Sequence, residues 1–326
     1  MRTKFLASTR IAIPAIGQGT GGIGGIFEAD TTRDEHHVQM LRLGIELGMT
    51  LIDTAEVYGG GHTEELVGRA VAGIRNRVFI ATKFSPEHSR YVDVIRSAEA
   101  SLRRLGTEWI DLYQVHWSNP GVPIEETMRA MEKLVADGKV RYLGVSNFSL
   151  GETRQASACL AQASLAAMQQ DYNLHERTAE QGLLPFCRAN QLTFMAYSPL
   201  AQGKLVDTSD RWSVLSGITE KYGLSPAQLA LQWVTRDPAV VAIPKAANEA
   251  HVWQNAAALD PVVTPEDLAK LSQLFASAVC RIATSDIEVA DDPTRDVYKT
   301  LQEAVENRGH MVPSPVELAD QIRNGE

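Results

Sequence analysis

Cysteine is scarce in this chain of 326 residues. The three cysteines, Cys159, Cys187 and Cys280, lie far apart in the sequence and form no CxxC pair. This usage argues against a disulfide framework and against a zinc site of ordinary ligand spacing.

An excess of positive charge and long apolar runs are also missing. The net charge is −9, whereas a nucleic-acid partner requires clustered lysine and arginine. Residues 1–20 lack the apolar core of a signal peptide, and no apolar run is long enough to span a bilayer. We therefore expect a cytoplasmic protein that acts on a small molecule, with no nucleic-acid or membrane partner. The oligomeric state stays open, because no self-complementary patch can be recognised in the sequence.

What the chain does contain is a regular alternation of short β-rich runs and amphipathic stretches of helical length. The predicted strands cover residues 14–20, 49–56, 77–83, 109–116, 140–146, 165–170, 192–198 and 239–244. The predicted helices cover residues 34–48, 62–73, 92–106, 124–138, 149–161, 179–190, 225–237 and 248–259. Thr63 is the candidate N-cap of the second helix. Eight such units predict an α/β fold of the (β/α)8 TIM barrel type. A doubly wound open sheet is the alternative, but no GxGxxG fingerprint opens a first βαβ unit.

The ends of the chain fall outside this rhythm. The runs KFLAST and IAIPAI predict a short N-terminal hairpin that plugs the bottom of the barrel, and residues 264–279 predict one more helix. We thus predict a barrel domain over 1–280 and a C-terminal extension over 281–326 that reads as two short polar helices. The extension could serve packing or oligomerisation as an acidic appendage, or be a vestige, since SDIEVADDPTR and SPVELADQIRNGE weakly resemble the opening of a ParB-like module.

Four polar residues fall at or just after three consecutive predicted strand ends. Asp53 ends the second strand and Tyr58 follows it in the loop, while Lys83 and His116 end the third and fourth strands. Taken singly, these would be a helix cap, a loop aromatic, a solvated charge and a core histidine. In a barrel, however, the carboxyl ends of the strands surround one active site. We therefore predict that these four residues are catalytic.

Together the four residues suit the reduction of a carbonyl group. A cofactor must supply the hydride, since no side chain can. A phenol with an ordinary pKa of about 10 is a poor proton donor unless a nearby ammonium stabilises the phenolate. A carboxylate keeps the ammonium charged, and an imidazole can orient the carbonyl oxygen.

The sequence resembles the aldo-keto reductase superfamily over residues 3–280. The motifs that carry the resemblance are LIDTAEVYGGGHTEELVGRA, FIATK, DLYQVH, VRYLGVSNF and AYSPLAQGKL, in the family's order. The resemblance implies that Tyr58 is the proton donor, that Lys83 and Asp53 support it and that His116 orients the carbonyl. It also implies a nicotinamide cofactor and no metal. A C-terminal extension that packs over the substrate mouth would agree with the family as well.

The resemblance further implies a set of cofactor contacts. Ser146, Asn147 and Gln169 would bind the nicotinamide amide, and the ring of Tyr197 would stack on the nicotinamide. The remaining expected contacts, along the phosphates and around the adenosine, are Gly19, Thr20, Gly21, Ser198, Pro199, Leu200, Gln202, Gly203, Lys204, Ile243, Lys245, His251, Gln254 and Asn255, with Asp53 as a further contact.

One departure from the family pattern concerns the choice of cofactor. His251 stands where members that favour NADPH often carry arginine, and Ala246 stands where they carry a hydroxyl. Losing the guanidinium removes a bidentate phosphate partner, although Lys245 still offers a point charge. We expect NADPH as the cofactor, with NADH possible.

Aromatic residues beside the four polar residues suggest an apolar rim for the substrate. We expect Phe27, Phe84 and Trp117 to line the pocket of an aldehyde or ketone of modest size. Two other functions were weighed: a cofactor-bound barrel that senses redox state with little turnover, and a metal-dependent hydrolase or isomerase. The latter would need clustered histidine and carboxylate residues at strand ends, where His116 is the only histidine.

Overall fold

The computed structural model describes residues 1–203 and 210–282, with the side chains of 210–215 and 276–282 left out of account. The chain starts with an antiparallel hairpin of β1 (Thr3–Phe5) and β2 (Ala12–Pro14). The hairpin lies at the amino-terminal end of the sheet, where Lys4 Nζ donates to the carbonyl oxygens of Thr235, Asp237 and Val240. The predicted hairpin at the barrel bottom is therefore confirmed.

Eight parallel strands form the central sheet. In chain order they are β3 (Gln18–Gly19), β4 (Leu51–Asp53), β5 (Phe79–Phe84), β6 (Ile110–Val115), β7 (Val140–Ser146), β8 (Leu165–Asp171), β9 (Thr193–Tyr197) and β10 (Val240–Ala242). Each strand pairs with the next one along the chain, from β3 to β10. Parallel bridges between Ile16 and Ala242 and between Gly19 and Lys245 join the first segment to the last. The (β/α)8 barrel predicted from the alternating pattern is thus confirmed.

Helices connect the strands and cover the outside of the barrel. They are α1 (Asp34–Glu46), α2 (His62–Val71), α3 (Tyr91–Leu105), α4 (Ile124–Ala136), α5 (Leu150–Ala158), α6 (Leu183–Ala189), α7 (Asp210–Tyr222), α8 (Pro226–Val234), α9 (Glu249–Ala256) and α10 (Pro265–Ile282). Local signals explain several ends. Gly106 ends α3 in the left-handed conformation, with φ 61°. Ser225 begins α8 with a reciprocal capping box with Gln228.

The buried apolar residues form two layers, as alternation along barrel strands requires. Leu6 and Ile13 of the hairpin pack with inward-facing residues such as Leu51 and Leu112 and fill the barrel interior. The larger layer lies between the sheet and the helices and includes Ile80, Phe84 and Tyr113. Polar side chains at the carboxyl ends of the strands are therefore left to form the mouth.

Two sequence-based expectations need correction here. Thr63 was expected to cap α2, but Gly61 stands at that position, and the Thr63 hydroxyl inside the helix donates to the carbonyl oxygen of Ile23 at 2.5 Å. Helix α7 was not predicted, because the apolar residues of that segment follow no clear helical spacing. The predicted helices of the extension after residue 282 lie outside the described residues.

Candidate active site

A buried ion pair lies at the carboxyl end of strands β4 and β5. Lys83 Nζ is 2.7 Å from Asp53 Oδ2, and the two side chains are 0% and 4% exposed. Lys83 Nζ also donates to the carbonyl oxygen of Thr54 at 2.9 Å. A lysine with no exposed surface requires such partners, because an unpaired buried charge costs several kcal/mol. Asp53 therefore balances the buried Lys83 ammonium and fixes it in place.

The second carboxylate oxygen of Asp53 is bound from the opposite side of the barrel. Gln169 on β8 donates its Nε2 to Asp53 Oδ1 at 2.7 Å. Gln114 on β6 brings its Nε2 to 3.5 Å from the same oxygen. Inward-facing side chains of three strands thus meet at one carboxylate.

His116 lies directly after β6 and is 3% exposed. Burial, and then the ammonium of Lys83, hold the pKa of His116 well below its ordinary value, so the imidazole is neutral at neutral pH. Its Nδ1 is buried and has no hydrogen-bond partner. A proton on Nδ1 would be left unsatisfied there, so we assign the proton to Nε2. His116 can then donate a hydrogen bond, but it is not a ready source of a proton.

Tyr58 lies half-buried in the loop after β4, beside both of these groups. Lys83 Nζ lies 5.2 Å from the centre of the Tyr58 ring. The rings of Tyr58 and His116 meet edge to face, with centroids 5.9 Å apart. The structure therefore brings all four predicted residues together at one end of the barrel.

Of the three aromatic residues expected around the substrate, two lie near this end. The Trp117 ring stacks on the His116 ring with centroids 3.8 Å apart. Phe27 lies half-buried in the loop after β3. This loop is held next to Tyr58, because the carbonyl oxygen of Ile26 accepts the backbone N–H of Gly59. Phe84 corrects the prediction: it is fully buried, and its ring packs 5.2 Å from that of Tyr113. Because side chains alternate along a strand, Phe84 points away from the interior that Lys83 faces.

The ends of β7, β8 and β9 carry four of the residues expected at the nicotinamide. Ser146 pairs with Gln169 in the sheet register. Asn147 follows with a left-handed φ of 58°, and its side chain donates to the His116 carbonyl oxygen at 3.0 Å. The hydroxyl of Tyr197 donates to Asn147 Oδ1 at 2.8 Å. These amide and hydroxyl groups thus form one network beside Asp53 and His116.

The expected phosphate-binding segments lie next to this network. After β9 the backbone takes positive φ at Ser198, Ala201 and Gln202, conformations that cost non-glycine residues energy and recur at binding sites. Across the barrel seam, a Cβ on Gly19 would lie 2.5 Å from the Ile243 carbonyl oxygen, so only glycine fits there. The other expected residues of these segments are Thr20, whose hydroxyl donates to the Asp53 carbonyl oxygen at 2.9 Å, Gly21, Pro199, Leu200 and Gly203. Lys204 lies outside the described residues.

The residues expected near the adenosine lie after β10 and on α9. Lys245 is exposed and bridges to Gly19 through the backbone. Asn248 caps α9 by accepting from the backbone N–H of His251 at 2.9 Å. His251 and Gln254 are exposed, whereas Asn255 is buried.

Comparison with known proteins decides the family. The model of the aldo/keto reductase family matches residues 15–276. The chain belongs to the aldo/keto reductase family. It is 42% identical over 277 residues to methylglyoxal reductase YeaE of Escherichia coli strain K12, covering 84% of this chain and 96% of that protein.

Solved structures of other aldo-keto reductases have the same fold as this chain. The thermostable aldo-keto reductase Tm1743 is 42% identical, with a TM-score of 0.80 over 84% of this chain and 100% of that one. An aldo-keto reductase from Klebsiella pneumoniae, solved with NADPH, is 43% identical, with a TM-score of 0.76 over 84% of this chain and 96% of that one. The predictions of family, fold and enzyme class are confirmed.

Within this aldo/keto reductase, the residues present suit a nicotinamide cofactor. Gln169 donates one amide N–H to Asp53, and its Oε1 can still accept a hydrogen bond from a carboxamide. Lys245 offers an exposed positive charge across the seam. The free amide oxygen of Gln169 and the charge of Lys245 therefore both suit the cofactor.

Sequence reasoning missed two residues of the site. Gln114 could have been found, because it lies two positions before His116 on β6 and so faces the same interior. No sequence motif indicated Glu56, because its partners Ser85 and His88 follow a different strand and lie far from it in the chain. In the described part of the chain no helix combines the length and apolarity needed to cross a membrane.

Proposed function

We propose that this aldo/keto reductase reduces an aldehyde or a ketone to the alcohol with a hydride from NADPH, and that Tyr58 donates the proton. The observation that carries the proposal is the buried Lys83–Asp53 pair beside the Tyr58 ring, with a neutral His116 next to it. Bound NADPH supplies the hydride.

The four polar residues orient the carbonyl group and supply the proton. His116, protonated on Nε2, donates a hydrogen bond to the carbonyl oxygen and orients it. Tyr58 transfers its hydroxyl proton to that oxygen as negative charge develops there. The Lys83 ammonium stabilises the phenolate left behind, and Asp53 holds the ammonium. His116 is a poor candidate for the acid because burial already disfavours its protonated form.

The proposed cofactor contacts rest on the family's motifs. Ser146, Asn147 and Gln169 would bind the carboxamide, and Tyr197 would offer its ring to the nicotinamide. The backbone after β9 and the glycines from Gly19 onward would hold the phosphates. Lys245 would pair with the 2′-phosphate, with His251, Gln254 and Asn255 around the adenosine.

The substrate is a small carbonyl compound, with Phe27 and Trp117 at the rim. One relative is named a methylglyoxal reductase, so methylglyoxal belongs first in a panel of aldehydes and ketones. The cytoplasm is the proposed compartment, since three widely spaced cysteines fit a reducing environment.

Replacing the acid tests the proposed chemistry. Tyr58→Phe should lose at least about 100-fold in kcat, because general acid catalysis contributes about 10²–10⁴-fold, while the Kd for NADPH stays near the wild-type value. The assay follows NADPH absorbance with the carbonyl panel. Activity within about tenfold of wild type would remove Tyr58 from the role of acid. If the wild-type chain binds NADPH but turns over none of the panel, the redox-sensing function is favoured instead.

Cofactor preference rests on Lys245 and is measured separately. NADPH should bind about fivefold more tightly than NADH, because one exposed ion pair contributes up to about 1 kcal/mol. Lys245→Met should abolish the difference. The Kd values come from fluorescence titration at low salt, and equal values in the wild type would show that Lys245 does not discriminate.

A further inference from the structure

Glu56 lies between Asp53 and Tyr58 in the chain, and the proposed mechanism gives it no task. Its side chain is only 9% exposed. One carboxylate oxygen, Oε1, accepts the backbone N–H of Ser85 at 2.7 Å and faces His88 Nδ1 at 2.7 Å. Both partners follow β5, the strand that carries Lys83.

The backbone of Glu56 is fixed to the same strand. Its N–H donates to the Lys83 carbonyl oxygen at 3.0 Å. Glu56 therefore binds the end of β5 on both sides of Phe84, through Lys83 before it and Ser85 after it. A residue two positions before Tyr58 is thus attached to the chain directly around Lys83.

We infer that Glu56 is a positioning residue, which holds the loop carrying Tyr58 against the end of β5 and so keeps the phenol beside the Lys83 ammonium. The inference rests on the proposed function, because it assumes that Tyr58 must stay near Lys83 to act. The separation between Lys83 Nζ and the Tyr58 ring centre, 5.2 Å, is the quantity that Glu56 maintains.

The burial of the two partners shows which contact of Glu56 matters more. His88 is 49% exposed, so water can replace its bond. Ser85 is buried, and its N–H would be left unsatisfied without Glu56. The bond to Glu56 and the charges of Glu56, Glu87 and Asp93 raise the pKa of His88. The Ser85 contact should therefore dominate, with His88 as the lesser contribution.

The experiment compares a graded series of variants in the full-length chain. Glu56→Ala removes both contacts, His88→Ala removes the exposed one, and Glu56→Gln keeps an oxygen that can accept from Ser85. Glu126→Ala is the matched control, because Glu126 also accepts a backbone N–H, that of Tyr91, at 2.9 Å. Measurements are kcat, KM, the Kd for NADPH, the pH profile of kcat and the thermal midpoint.

Glu56→Ala should lower kcat by roughly 10–100-fold, because small misplacements of reacting groups cost about that much, and leave KM and the Kd for NADPH within about twofold. The alkaline limb of the kcat profile should shift, because the phenol then lies differently relative to the ammonium. Glu56→Gln should recover most of kcat, and His88→Ala should lose only a small part of it. Glu126→Ala should lower the thermal midpoint without changing kcat or its pH profile.

Two outcomes would overturn the inference. One is a kcat for Glu56→Ala within about twofold of wild type. The other is an equal loss of kcat in Glu126→Ala with an unmoved pH profile in both, which would indicate general destabilisation. Tyr58→Phe, assayed in parallel, separates the two levels: an active Tyr58→Phe variant contradicts the proposed function, whereas an inactive one beside a normal Glu56→Ala contradicts only the positioning role.

Discussion

The buried pair of Lys83 and Asp53 allows a quantitative prediction about stability. Asp53→Asn removes the negative charge and leaves the Lys83 ammonium, which is 0% exposed, without a charged partner. Breaking a buried pair in this way costs about 3–5 kcal/mol, because one charge stays buried without its partner. An exposed pair is worth only about 0–1 kcal/mol. Removing Asp53 should therefore cost several times more free energy of unfolding than removing one partner of an exposed pair.

A double-mutant cycle makes this prediction specific. Lys83→Met should also destabilise the fold, whereas the combination of Asp53→Asn with Lys83→Met leaves no charge unpaired. The double variant should therefore lose less free energy of unfolding than the sum of the single variants. Asp137→Asn serves as the control, since its pair with Lys133 is exposed, with side chains 32% and 52% accessible.

Urea unfolding, followed by tryptophan fluorescence and far-UV circular dichroism, gives the free energies for the four chains and the control. We expect the control to lose less than about 1 kcal/mol. A loss for Asp53→Asn that is no larger than that of the control, or single-variant losses that simply add in the double variant, would refute the reasoning about burial.

Two further predictions concern His116 and Phe84. Because the pKa of His116 is lowered in the folded chain, the unfolded chain binds a proton that the folded one does not, and stability falls as pH drops below about 6.5. Between pH 7 and pH 5 this proton uptake lowers the free energy of unfolding by up to about 2 kcal/mol. In His116→Gln, the loss of stability over the same pH range, measured by urea unfolding, should be smaller by that amount. Equal losses in the two chains would show that the imidazole is not buried in its neutral form. Phe84→Leu should cost about 1–2 kcal/mol of stability through lost packing on Tyr113, with KM unchanged across the carbonyl panel; a raised KM with unchanged stability would return Phe84 to the substrate pocket.

The sequence was sufficient for the features that follow from simple periodicity. The eight strand–helix units predict the barrel, and the rule that strand ends share one face brings Asp53, Lys83 and His116 together. Phe84 was misplaced because nearness to Lys83 in the chain was taken as nearness in space, although alternation sends neighbours to opposite faces. The partners of Glu56 and the contact of Gln169 with Asp53 depend on tertiary distances that the local sequence does not encode.

The roles of the cofactor residues stay predictions. Ser146, Asn147 and Gln169 could be named because their motifs match those of the family, and the structure places them at or near the ends of β7 and β8. The preference for NADPH could not be settled in the same way, because Lys245 and His251 are exposed side chains whose conformations depend on what binds them. Lys204 and the extension after residue 282 keep their sequence-based interpretation.

The bond between Gln169 and Asp53 has a consequence for the barrel as a whole. Strands β4 and β8 stand four places apart in a ring of eight, so this bond spans the diameter of the barrel. It joins the half formed by β3 to β6 to the half formed by β7 to β10. If the two halves were produced as separate fragments, the first would carry a carboxylate whose second oxygen keeps only the longer contact with Gln114, at 3.5 Å. Reassembly of the fragments would therefore restore this bond together with the Asn147–His116 hydrogen bond and the strand pairing at the two seams.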